Sequence, residues 1–246
     1  SEVRSGVKKS VLRRAAAQPK GLSPTPANLL TRAGAEVADL ENSSVSVADV
    51  DGQNGRDLLI TGRNENLDPT TTLYLQQPDG GFSPAGAGLT GVQDGATAIA
   101  DVDGQNGPDL LISGTDDDLT RTTTLYLQQS DGSFSAANAG LTGVAEGSMS
   151  IADVDGQDGP DLLITGRDRN LNLTTILYLQ QSNGGFSPAE ADLPDVWNSS
   201  TSIADVDGQY GPDLLIAGES ANTGRRTILL LQQSDGRFST AGVGLT

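Results

Sequence analysis

Apolar residues along the chain fall in short, regularly spaced bursts rather than in helical stripes. Asp109-Leu-Leu-Ile-Ser113 is a continuous apolar run of the length expected for a strand buried on both faces. Thr122 to Gln128 alternates around Leu125 and Leu127, which predicts a half-buried strand. Upstream, Thr97 to Val102 reads as a short strand of small and β-branched residues. Asp131-Gly132 is a two-residue hairpin signal, and Phe134 opens a fourth strand. The same signal recurs at Asp79-Gly80, Asn183-Gly184 and Asp235-Gly236, each followed by Phe82, Phe186 or Phe238.

The recurrence is an internal repeat. Ala-Asp-Val-Asp-Gly-Gln begins at Ala48, Ala100, Ala152 and Ala204, always 52 residues apart. Residues 49–100 and 101–152 agree at 35 of 52 positions, so the copies are expected to fold alike. Four short strands per unit predict an all-β fold: a β-propeller of four 52-residue, four-stranded blades. An open β-solenoid is the alternative, although its coils are generally shorter. The repeats run 49–100, 101–152, 153–204 and 205–246, the last being ten residues short and completed by 39–48. In this reading the segment around Val45 to Val50 supplies the first strand of the last blade and closes the ring. A single blade has too little apolar surface to fold alone, so neighbours must share their faces. Tyr74, Tyr126 and Tyr178 sit at strand positions and are expected in the core or between blades.

Composition sharpens this picture. Of 246 residues only 35% are hydrophobic and 4% aromatic, too few for one thick core, while 31 glycines and 11 prolines suit many turns. Cysteine and histidine are both absent, which excludes disulfides, thiolate chemistry, histidine-based triads and histidine metal centres. No apolar run is long enough to span a membrane as a helix. The net charge of −17 argues against nucleic acid as a partner. That charge is unevenly divided. Residues 1–38, a basic N-terminal arm or linker, carry seven bases against two acids, or +5; residues 39–246 carry eight against thirty, or −22. Such complementarity points to self-association through the arm, with a neighbouring copy's acidic body as partner. Val3, Val7 and Val11 suggest a short basic amphipathic helix there, and the alternative is a disordered or cleavable leader with Arg13-Arg14 as a processing site. Gly21-Leu-Ser-Pro24 echoes Gly81-Phe-Ser-Pro84, a spare strand-like segment suited to strand addition and filament growth.

Candidate chemistry lies in the loop Asp49-Val-Asp-Gly-Gln-Asn-Gly-Arg-Asp57. Oxygen-bearing side chains fill its first, third, fifth and ninth positions, and glycines permit a tight curl. Three carboxylates held so close repel one another unless a cation neutralises them. Hydrogen-bonded turns alone would explain one or two of these aspartates, but not three at fixed spacing in four copies. Calcium is the expected ion, because it accepts six to eight oxygens in irregular geometry. The helical EF-hand is excluded, since its bidentate Glu position is Ile60 here. The Asp-x-Asp-Gly-x-x-x-x-Asp-Leu-Leu-Ile unit resembles the FG-GAP or VCBS repeat of integrin-α-like propellers, and does so in all four copies across residues 39–246. The resemblance implies about four calcium sites between the first two strands of each blade. The implied side-chain ligands are Asp49, Asp51 and Asp57; Asp101, Asp103 and Asp109; Asp153, Asp155 and Asp161; and Asp205, Asp207 and Asp213. Gln53, Gln105, Gln157 and Gln209 occupy the fifth position, where the family usually has Asp or Asn, and are candidate ligands directly or through water.

Asn42, Asn172 and Asn198 match the N-glycosylation acceptor pattern. The segments 62–70, 114–122, 166–174 and 218–227 vary most between copies; they are either a binding rim or loops free to drift. Trp197 and Tyr210 are the aromatics that break the repeat. The expected function is a non-enzymatic, calcium-stabilised extracellular structural or adhesive module that self-assembles. A lectin-like propeller binding glycans is the first alternative, and a polysaccharide-active enzyme the second.

Overall fold

The computed structural model describes residues 37–241, so the expected helix, strand-like segment and self-association surface within 1–36 lie outside the described residues. Sixteen strands form four four-stranded antiparallel sheets, each in chain order, and no helix occurs among the described residues. The first sheet holds β1 (Glu41–Ala48), β2 (Asp57–Arg63), β3 (Pro69–Gln76) and β4 (Phe82–Pro84). The second holds β5 (Gln93–Ala100), β6 (Asp109–Thr115), β7 (Arg121–Gln128) and β8 (Phe134–Ala137). The third holds β9 (Met149–Ala152), β10 (Asp161–Arg167), β11 (Leu173–Gln180) and β12 (Phe186–Pro188). The fourth holds β13 (Trp197–Ala204), β14 (Asp213–Ser220), β15 (Gly224–Gln232) and β16 (Phe238–Thr240).

The expected all-β class and four strands per unit are present, but the strand exchange is not. β1 pairs with β2, from Ala48 opposite Asp57 to Glu41 opposite Arg63, and β13 pairs with β14 in the same register. The segment 39–48 therefore completes the first sheet, not the last. The physical reason is proximity: the loop between Ala48 and Asp57 is short, so pairing across it costs far less closure entropy than pairing with the distant C-terminal strands. The hairpin before each fourth strand also differs from expectation. Gly80 N–H donates to Gln77 O (2.9 Å) and Gln77 N–H to Gly81 O (2.8 Å), which makes a three-residue loop. Only Gly80 takes positive φ (82°), and Asp79 accepts from Gly81 N–H instead.

Three clusters of buried side chains lie between successive sheets. Leu59 and Leu73 of the first sheet pack with Leu110, Ile112 and Tyr126 of the second. Leu111 and Leu125 meet Met149, Leu162, Ile164 and Tyr178 of the third. Leu163 and Leu177 meet Leu214, Ile216 and Leu230 of the fourth. The Leu-Leu-Ile strands of the two inner sheets, β6 and β10, thus serve two cores at once, as their unbroken apolar runs require, while β2 and β14 each serve one. Tyr74, Tyr126 and Tyr178 are buried, and the latter two accept hydrogen bonds from Thr90 and Thr142 N–H, both 3.0 Å.

Candidate metal centre

The aspartate loops connect the first two strands of each sheet, and all four adopt one geometry. The last aspartate is buried and anchors the loop to its strands. Asp57 Oδ2 accepts from Val50 N–H (2.7 Å) and Asp51 N–H (3.4 Å), and its Oδ1 from Gln76 N–H (2.8 Å) on β3. Asp109 and Asp161 repeat all three bonds, and Asp213 accepts from Val206 and Gln232 N–H, both 2.8 Å. Burial pushes the Asp109 and Asp161 carboxyls up, aided by repulsion from Asp103 and Asp155, while the backbone donors pull them down.

The first two aspartates curl the loop. Asp49 Oδ1 accepts from Gly52 N–H and Asp51 Oδ1 from Gln53 N–H, both 2.8 Å. Gly52 stands at φ 70° and Asn54 at φ 59°, which turns the chain back on itself. Each triad, Asp49-Asp51-Asp57, Asp101-Asp103-Asp109, Asp153-Asp155-Asp161 and Asp205-Asp207-Asp213, brings one oxygen per residue within 4.8 Å of the others. The donor set fits a hard divalent cation: it is all oxygen and formally trianionic. Among the described residues one oxygen each of Asp49 and Asp51 accepts no hydrogen bond, and so is available for an ion. Four such sites, one per sheet, could therefore hold metal ions. Gln53, Gln105, Gln157 and Gln209 are exposed, and their observed roles are backbone ones; Gln53 O, for example, accepts from Gly55 N–H (2.7 Å).

A second set of glutamines, not singled out in the sequence, couples these loops to the neighbouring sheets. Gln128 Nε2 donates to Val50 O (2.9 Å), Gln232 Nε2 to Val154 O (2.9 Å), and Gln180 Nε2 to Val102 O. Each reaches from the third strand of one sheet into the preceding aspartate loop. The signal was a polar residue held constant beside buried leucines at 76, 128, 180 and 232. A further group breaks the repeat. Glu146 pairs with Arg121 and Arg167, both at 3.1 Å, and Arg167 stacks 3.5 Å above the Trp197 ring. Trp197 is thereby engaged within the fold.

Asn42 and Asn198 are exposed at positive φ (49° and 44°), where they line a small cavity of about 230 Å³ with Asp94 and Glu146. Asn172 lies in an exposed hairpin loop, with Nδ2 donating to Asp168 Oδ2 (3.0 Å), which holds the Asp168 carboxyl below its usual range. Two larger cavities, of about 780 and 690 Å³, lie beside the first and third aspartate loops. The exposed Tyr210 lines the second of these.

No family model matches the chain, and no curated protein matches it. Among solved structures the chain is similar to fructan 1-exohydrolase IIa from Cichorium intybus, at 11% identity and a TM-score of 0.46. The match covers 81% of this chain and 46% of that one, so the chain spans less than half of that neighbour's length. The expectation that the chain is not an enzyme stands against this neighbour, which is an exohydrolase, and is not carried further. Absence of histidine and cysteine removes those nucleophiles and bases but leaves carboxylate chemistry available. At this similarity the neighbour assigns no activity.

Proposed function

We propose that the four aspartate loops bind calcium and that the sheets are the blades of a calcium-stabilised, propeller-like module acting in adhesion or assembly outside the cell. The observation that carries this reading is the fourfold recurrence of a trianionic oxygen cluster at the joint between the first two strands of a sheet. Calcium suits such a site better than magnesium, because the loop offers carboxylates and carbonyls in an irregular curl rather than a compact octahedron. An ion there neutralises carboxylates whose repulsion otherwise works against the fold. Millimolar calcium is an extracellular condition, and ions would then do in this cysteine-free chain what disulfides do in other small secreted domains. Self-association of such modules is the assembly part of the reading, supported by the opposite charges of residues 1–38 and 39–246.

Calorimetric melting with calcium and with excess chelator tests the metal. An ion present at one hundred times its Kd and bound only to the native state stabilises by about 2.7 kcal/mol per site. Chelation is therefore expected to lower Tm by at least several degrees, and magnesium to restore less of it than calcium. Superimposable curves with and without chelator would remove the calcium reading.

A further inference from the structure

Every internal boundary between successive sheets is built from the same repeat positions, and two faces of the described fold carry those positions uncovered. On the trailing face of the fourth sheet, Val206 is 61% exposed, whereas Val50, Val102 and Val154 are 4%, 3% and 4% exposed. Leu215 beside it is 37% exposed, whereas Leu59, Leu111 and Leu163 are fully buried. On the leading face of the first sheet, Val45 is 56% exposed, whereas its counterparts Thr97 and Met149 are 8% and 9% exposed and Thr201 is half-buried. Val47 is 54% exposed and Leu58 half-buried, whereas Leu110, Leu162 and Leu214 are fully buried.

The polar contacts tell the same story. Gln128, Gln180 and Gln232 each donate to a valine carbonyl of the preceding sheet. Among the described residues Gln76 Nε2 meets no acceptor, and the Val206 carbonyl receives no glutamine. Single exposed valines need no explanation. Positions buried or half-buried at every internal boundary and open only at the two ends are different: they are the two halves of one more boundary.

We infer that a second copy of this chain completes that boundary, the fourth sheet of one copy packing on the first sheet of the next. What covers each face is read from the internal boundaries. Ser46 Oγ donates to Thr97 O (2.9 Å) across the first boundary, and Ser150 Oγ lies 2.7 Å from Thr201 Oγ1 across the third. In the same register Ser202 meets Val45 of the next copy, and Gln76 reaches the Val206 carbonyl. An apolar residue at this position is already accommodated, since Met149 packs with Ala96 and Ala98 in the middle boundary. The two faces are unlike, so the contact is head-to-tail and yields a closed ring or a filament according to its rotation. The proposal rests on the self-association reading above and places the contact on the sheets.

The chain has no cysteine, which makes a crosslinking test clean. The double variant Val45→Cys with Ser202→Cys, mildly oxidised in calcium and separately in chelator, is expected to give covalent dimers and larger species that a reductant dissolves. Ser46→Cys with Thr97→Cys calibrates the geometry, because that pair faces across an internal boundary and is expected to bridge within one chain. A 45–202 bridge confined to single chains, or none where the 46–97 pair bridges, overturns the proposal. Sedimentation velocity gives an independent reading. Val47→Asp, at an exposed position, is expected to weaken self-association at least tenfold. Oligomers that persist unchanged would overturn this surface while leaving self-association itself standing, and monomers throughout would overturn both.

Discussion

Two loops flank the second strand of each sheet, and both are organised by a side chain that accepts backbone N–H groups, yet only one is constant in sequence. In the aspartate loop the acceptor is Asp57, Asp109, Asp161 or Asp213, buried beneath the strands. In the hairpin at the other end it is Asn64, Asp116 or Asp168, half-buried at the base of a loop whose tip is exposed to solvent. Asp116 Oδ1 accepts from Asp118 N–H (3.0 Å) and Thr120 N–H (2.8 Å), and Asn64 and Asp168 repeat the pattern. The variable segments therefore differ in composition but share a conformation in three copies; the fourth turns instead around Gly224 at φ 71°. One well-placed oxygen suffices where water can replace lost hydrogen bonds. Where water is excluded, every group that meets the loop is fixed as well.

Matched substitutions put the largest effect on that contrast. Asp109→Ala removes the acceptor of three N–H groups in a site closed to water, at about 1–3 kcal/mol for each donor stranded. Measured by urea unfolding in chelator, so that ion loss does not contribute, the expected cost is about 3–5 kcal/mol. Asp116→Ala removes an acceptor of two N–H groups at the surface and should cost only about 1 kcal/mol. Equal losses would mean that burial does not separate the two loops.

The next effect concerns coupling between sheets. Gln128→Ala breaks the bond to Val50 O and is expected to cost about 1–2 kcal/mol, because that carbonyl is left without its donor. Gln76→Ala, at the same repeat position on the uncovered first sheet, should cost less than about 0.5 kcal/mol in the monomer. Unfolding at concentrations too low for self-association checks the pair, and indistinguishable losses would show that the glutamines act within their own sheet.

These residues also mark what was legible in the sequence. The period, the strand content and the aspartate triads were visible because each is repeated, and repetition separates a requirement from an accident. Repetition also hid the phase of the sheets: with near-identical copies, moving residues 39–48 from the first sheet to the last changes nothing in the pattern. Loop closure across Asp49 to Asp57 decides it, and closure is a property of chain path rather than of residue type. Gln128, Gln180 and Gln232 passed unremarked at the ends of their strands, although all three are buried. The Glu146, Arg121, Arg167 and Trp197 group was missed for the opposite reason, since it has no counterparts from which a pattern could emerge.

The smallest effect tests how much freedom the exposed hairpin retains. Leu67, Leu119 and Leu171 stand at its tips with φ of 68°, 58° and 65°, a region that costs a branched side chain about 1–2 kcal/mol. All three are exposed, so they recover little of this by burial. Glycine adopts the same backbone without the Cβ clash but loses more entropy on folding, about 0.5–1 kcal/mol. Leu119→Gly should therefore be neutral to stabilising by about 1 kcal/mol in thermal unfolding. A clear loss of stability there would place a packing partner on Leu119 and give the variable loop a constraint beyond its one capping oxygen.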